Sequence, residues 1–97
     1  MKWKENMKIS RKNVIPNEII RFEFDVSGFE FLVKNLTSAD ILVSFDSFDE
    51  NKNIKIPSYM SQIVTQNTNH KYSSYKSNAL EIKASAEGEV EVQCMMW

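Results

Sequence analysis

Apolar and polar residues alternate one by one through most of this chain. Ile20, Phe22, Phe24 and Val26 fall on one side, and Arg21, Glu23 and Asp25 on the other. Successive side chains of a β-strand point to opposite faces, so this period of two predicts a strand with one dry side. The pattern returns where Phe29, Phe31, Val33 and Asn35 alternate with Glu30, Leu32, Lys34 and Leu36. It returns again where Ile41, Val43 and Phe45 alternate with Leu42, Ser44 and Asp46. It is clearest at the C-terminus. Leu80, Ile82, Ala84 and Ala86 share a face, Glu87-Gly88 interrupts, and Val90, Val92, Cys94 and Met96 share a face of the next strand, leaving Trp97 outward. This predicts a hairpin turned at Gly88. Ser27-Gly28 predicts a second tight turn, with glycine free to take positive φ.

The remaining segments use the same grammar. Met1, Trp3, Met7 and Ile9 sit at odd positions and predict a first strand, and Val14-Ile15-Pro16-Asn17 reads as a loop. Asp46 to Asn53 is a polar loop, and Ile54-Lys55-Ile56 is a short strand ended by Pro57, which places it near a sheet edge. Tyr59 to Gln66 predicts another strand and Asn67 to Asn78 a long polar loop. No stretch keeps the i, i+3, i+4, i+7 spacing of an amphipathic helix. Seven to eight short strands with little or no helix define an all-β chain. We expect a small antiparallel β-sandwich or jelly-roll-like domain spanning residues 1–97.

Charge adds one feature. The chain carries a net charge of −1, which gives no general pull toward nucleic acid or membrane. Residues 1–12 nevertheless hold Lys2, Lys4, Lys8, Arg11 and Lys12 against Glu5 alone. Residues 1–13 therefore read as a basic N-terminal arm on an acidic body. Lys2-Trp3-Lys4 interleaves an aromatic with cations, as single-strand binders do, but the acidic body would repel the same nucleic acid. An acidic protein surface suits the arm at least as well. The arm lacks the apolar core of a signal peptide, and no run reaches the roughly 20 apolar residues of a membrane helix.

Catalytic chemistry finds few residues to work with. Cys94 is the single cysteine and His70 the single histidine, far apart in sequence, with Cys94 on a core-facing position. A nucleophile needs a base beside it, and a zinc site needs several such ligands. Asp49, Asn51 and Asn53 match the start of a calcium loop, but Ile54 stands where the turn glycine belongs and Met60 where the bidentate glutamate belongs. Asn35-Leu36-Thr37 fits the glycosylation sequon, which arises often by chance. We therefore expect no enzyme, no metal and no cofactor. Binding surfaces are the better candidates. Tyr59, Tyr72 and Tyr75 could form a platform for a protein or a carbohydrate. Lys2, Trp3, Lys4, Lys8, Arg11, Lys12, Met95 and Trp97 are candidate protein contacts, because chain ends rarely spend tryptophan on water.

The stretch Phe29-Glu30-Phe31-Leu32-Val33-Lys34-Asn35-Leu36-Thr37-Ser38-Ala39-Asp40-Ile41-Leu42-Val43-Ser44, with the later Ile54-Lys55-Ile56-Pro57, resembles small β-sandwich virion proteins of tailed phages from low-GC Gram-positive hosts. The resemblance covers roughly residues 19–66. It implies a capsid decoration or head-accessory protein, located in the virion, that binds the shell without catalysis. Its partners would be the major capsid protein, other virion subunits or further copies of itself. The alternatives are a carbohydrate-binding or host-adhesion module and a neck or tail component.

Overall fold

A computed structural model describes residues 8–65 and 76–97. They form eight strands: β1 (Lys8–Val14), β2 (Ile19–Gly28), β3 (Glu30–Thr37), β4 (Ile41–Phe45), β5 (Ile54–Ile56), β6 (Ser61–Thr65), β7 (Ser77–Ala84) and β8 (Gly88–Met96). Two antiparallel four-stranded sheets result. Sheet A has the order β1-β8-β3-β6 and sheet B the order β2-β7-β4-β5. This is the strand order of a jelly roll, in which the chain crosses between two facing sheets. The expected all-β sandwich is what the chain adopts, with no helix among the described residues.

The alternation explains which residues fill the space between the sheets. Phe22, Phe31, Val33, Ile41, Val43, Leu80, Ile82, Val90, Val92 and Cys94 are all buried, drawn from the inner faces of both sheets. Phe24 and Phe45 flank Phe31, with ring centroids 5.8 and 6.1 Å away. The Cys94 thiol lies in this core, as its sequence position predicts.

The hairpins are where the structure departs from the sequence reading. β7 pairs with β2 and β4, whereas β8 pairs with β1 and β3. The residues around Gly88 therefore arch from one sheet to the other and close no hairpin. β2 and β3 are likewise in different sheets, and Gly28 is the last residue of β2, paired with Ser77. Among consecutive strands only β4 and β5 pair directly, across the loop 46–53. An arch and a hairpin leave the same mark on a sequence, because both join two alternating segments through a polar turn. Only burial of both inner faces against each other distinguishes them.

The N-terminal segment keeps the expected first strand over its described residues but not the arm. Lys8, Arg11 and Lys12 belong to β1, which pairs with β8 from Lys8↔Cys94 to Val14↔Gly88. Residues 8–13 are thus the edge strand of sheet A. Lys8 and Lys12 point between the sheets. The Lys8 ammonium sits 3.1 Å from Asp25, and Lys12 donates to the Arg21 carbonyl at 2.6 Å and lies over the Phe22 ring. Lys2, Trp3 and Lys4 lie outside the described residues.

Candidate interaction face

The two outer faces of the sandwich have opposite characters. On sheet B the outward charges Arg21, Glu81 and Lys83 are paired and met by the loop 46–53, and Ile19, opposite Lys83 at the start of β2, is the exposed large apolar side chain there. Arg21 bonds Glu81 at 2.9 Å and the Asp46 carbonyl at 2.7 Å. Glu81 also accepts the Phe48 backbone N–H at 2.8 Å, and Lys83 pairs with Glu50 at 3.2 Å. The Glu81 carboxyl is held below the usual carboxylate range, first by the Phe48 N–H and then by Arg21, against the opposing effect of burial. Ser44 pins the loop from below: its hydroxyl donates to the Lys52 carbonyl at 2.8 Å and accepts from the Asp49 N–H at 3.1 Å. The calcium-loop candidates Asp49, Asn51 and Asn53 bond one another within the turn. The Asn51 N–H bonds the Asp49 carboxylate at 2.8 Å, and the Asn53 amide bonds the Asp49 carbonyl at 3.0 Å. No group of metal-ligating side chains gathers among the described residues. An open cavity of about 450 Å³ lies under this loop, between Val43, Phe45, Asp49, Lys52, Ile54 and Thr65.

Sheet A is covered by none of this. Its register places Ile9, Gln93, Leu32 and Ile63 in one row across all four strands of the outer face. The next row is Arg11, Glu91, Lys34 and Ser61, and the third is Asn13, Glu89 and Leu36. The exposed large apolar side chains Ile9, Leu36, Ile63 and Met95 lie on this face. Tyr59 and Met60 adjoin it, because the Asn35 N–H donates to the Met60 carbonyl at 2.9 Å and continues the β3–β6 ladder. Elsewhere only Ile15 and Ile19 are comparably exposed among the described residues. Apolar surface gathered on one face of a small domain marks a contact surface more often than scattered exposure does.

A polar clamp holds the middle of the face. Glu91 is only 3% exposed although it points outward, since Arg11, Lys34 and Gln93 close over it. The Gln93 amide donates at 2.6 Å, Arg11 Nε at 3.0 Å, and Lys34 lies at 3.4 Å. Gln93, then Arg11, hold the Glu91 carboxyl down to about 2. A depressed carboxylate stabilises the fold above its unfolded pKa and loses that contribution as pH falls through the folded value. The Glu91 contribution should therefore be complete above about pH 4.5 and fade toward pH 2. Glu91→Gln should flatten this acid limb in urea unfolding followed from pH 6 to pH 2. At pH 7 its cost should be about 1–2 kcal/mol, below the usual figure for breaking a buried pair. The reason is that Arg11 and Lys34 are 56% and 37% exposed and can turn to water.

Tyr59 stands at the rim in a conformation that few side chains adopt. It is 69% exposed with φ of 58°, at the third position of a turn closed by Met60 N–H to the Pro57 carbonyl at 3.1 Å. Glycine or asparagine usually occupies such a position. The turn is held from within by Asn35, whose fully buried amide donates toward the Ile56 and Pro57 carbonyls, and by Ser58, which bonds the Thr37 carbonyl at 2.7 Å. Tyr59→Asn should leave stability unchanged or raise it by up to about 1 kcal/mol, measured by the urea midpoint.

The candidate residues from the sequence thus fall into four groups. Arg11, Met95 and Tyr59 lie on or beside the sheet A face, and Lys8 and Lys12 seal the β1–β2 side of the sandwich. Trp97 packs partly buried against the core of its own chain. Tyr72 and Tyr75 lie outside the described residues. Sequence reasoning missed Ile9, Leu36, Met60 and Ile63. Leu36 and Ile63 did stand at outward positions of apolar character, and that was the available signal. Comparison with protein-family models, with curated proteins and with solved structures finds no match.

Proposed function

We propose that the chain is a non-catalytic structural protein of a phage virion that binds the capsid surface through the outer face of sheet A. The observation that carries the binding part is the asymmetry of the two outer faces: the central charges of sheet B are paired and loop-covered, whereas sheet A presents several apolar side chains around the clamp on Glu91. Such a surface suits protein burial, with an apolar interior and few unpaired charges. The virion setting rests on the sequence resemblance, and the jelly roll is a fold that shell proteins use. A fold hosts many functions, so the setting has its own test.

Quantitative mass spectrometry of purified particles from the source strain tests it. Hundreds of copies per particle support decoration or cementing, and a few to a few dozen point to neck or tail. Absence from particles overturns the proposal. Binding of the purified chain to capsids lacking it tests the face. Leu36→Glu with Met95→Glu should weaken binding by at least about tenfold, as loss of interfacial apolar contacts does. Unchanged binding would remove sheet A from the interface.

A second reading takes its support from Tyr59, an exposed aromatic ring held in a strained turn. Strain at an exposed side chain is a pointer to use, and a tyrosine face suits a sugar ring. Binding on a glycan array that is lost in Tyr59→Asn would favour a host-adhesion role.

A further inference from the structure

A sandwich has four edge strands, and each exposes backbone groups that another chain could pair with. Three of the four here are blunted. β1 turns Lys8 and Lys12 inward under its edge. β2 carries Arg21, Glu23 and Asp25, and its ladder shifts register between Glu23 and Gly28. β5 is three residues long, centred on Lys55 and followed by Pro57. Charge on an edge, irregular register, shortness and proline are the usual devices against edge pairing.

β6 has none of them. Its sequence is Ser61-Gln62-Ile63-Val64-Thr65, without charge or proline. It pairs with β3 in unbroken register from Glu30↔Thr65 to Lys34↔Ser61, and among the described residues no other strand lies beside it. Val64 is buried while the other four residues are exposed. β-Branched residues make up three of the five, and such residues favour an extended strand.

We propose that β6 is the self-association edge of this protein and pairs antiparallel with β6 of a second copy. A two-fold axis at Ile63 would set Ile63 opposite the second copy's Ile63, Gln62 opposite Val64, and Ser61 opposite Thr65. A symmetric pair brings identical residues together at its centre, so a central charge would repel itself. β6 is the edge strand without one. The pairing turns two four-stranded sheets into one continuous sheet of eight. It also joins the outer rows Ile9-Gln93-Leu32-Ile63 of both copies end to end. The second copy is the occupant that the strand's neutrality and symmetry fit. A charged partner strand would find nothing to pair with.

This pairing is independent of the virion reading, since it concerns the purified chain alone. Five residues of edge make a small interface, so the dimer should be weak, with Kd on the order of 10–100 µM. Sedimentation equilibrium of the full chain from about 10 µM to about 1 mM, a range spanning that affinity, reads it directly. Ile63 is 50% exposed, so Ile63→Lys should fold, as circular dichroism would check. That variant should dimerise at least about tenfold more weakly, because two ammonium groups meet at the axis. Ile63→Glu should do the same alone. An equimolar mixture of the two variants should form a heterodimer, which a merely unfolded variant could not do. Ile9→Lys, at the opposite edge of the sheet, should dimerise as the parent does. A parent chain that stays monomeric across the range overturns the proposal. So does a dimer indifferent to Ile63→Lys, or a mixture of the charged variants that fails to pair.

Discussion

Asn35→Asp is expected to destabilise the fold by about 3–5 kcal/mol at pH 7, the cost of an uncompensated buried charge. Asn35 is fully buried on the inner side of β3. Its amide nitrogen faces three carbonyl oxygens: Ala39 at 2.8 Å, Ile56 at 3.0 Å and Pro57 at 3.0 Å. Its amide oxygen accepts the Thr37 N–H at 2.9 Å and lies 2.7 Å from the Thr37 hydroxyl. One side chain thus ties sheet A to the end of β5 in sheet B and to the turn between β3 and β4. Aspartate would aim an anionic oxygen at three other oxygens and leave their lone pairs without a donor.

The pH dependence separates this cause from a loss of shape. Burial, with three carbonyl oxygens facing one of its oxygens, raises the folded pKa of the new carboxyl, so its protonated form is favoured in the fold. The penalty relative to the parent should be smallest below about pH 4, the ordinary aspartate range, and grow as pH rises. Urea unfolding of both chains at pH 4 and pH 7 measures it. A variant within about 0.5 kcal/mol of the parent at pH 7, the usual range of a surface substitution, would refute the role. The same burial disposes of the sequon at Asn35, since its amide nitrogen is enclosed and engaged. It also connects the core to the candidate face: without Asn35 the Pro57–Met60 turn that presents Tyr59 loses its inner anchor.

Gly88→Ala should cost about 3 kcal/mol, combining backbone strain with overpacking. Gly88 begins β8 at φ of 155° and lies between Val14 of β1 and Thr37 of β3. A Cβ there would stand 2.9 Å from Thr37 Cγ2 and 3.1 Å from Thr37 Cα. The methyl group could shift, but the backbone atom of a central strand cannot move without disturbing the ladder. Thr37→Ser in the Gly88→Ala background removes Cγ2 and keeps the hydroxyl. It should recover about 1 kcal/mol, since neighbouring substitutions of this kind are coupled. Urea midpoints of the single and double variants give the coupling. Full tolerance of alanine would mean that the arch at Gly88 is looser than its contacts indicate.

Much of the strand content was legible in the sequence because alternation is a local signal. The inner positions Phe22, Phe31, Val33, Ile41, Val43, Leu80, Ile82, Val90, Val92 and Cys94 could each be read from the polarity of their immediate neighbours. Asn35 was legible as an inward position, though its role as a tie between sheets was not, because the carbonyls that accept from it come from residues 4, 21 and 22 positions away. The candidate face was less legible still. Ile9, Gln93, Leu32 and Ile63 belong to four strands and meet only through the register of sheet A. Glu91 read as one more outward charge, since nothing local announces that Arg11, eighty positions away, will cover it.

By itself the sequence determined that this protein is built of short strands, which side of each is dry, where the chain turns, and that Cys94 belongs to the core. These properties depend on neighbours one or two positions away, where side-chain polarity alone acts. Only the tertiary structure decided that the turns at Gly28 and Gly88 are arches between sheets, that residues 8–13 are an edge strand, and that, among the described residues, the loop 46–53 meets one outer face and not the other. A strand's inner side chains are satisfied by any apolar layer, so its own sequence does not say which sheet it joins. That choice falls to the packing of two whole sheets, and with it the position of every surface that a partner would meet.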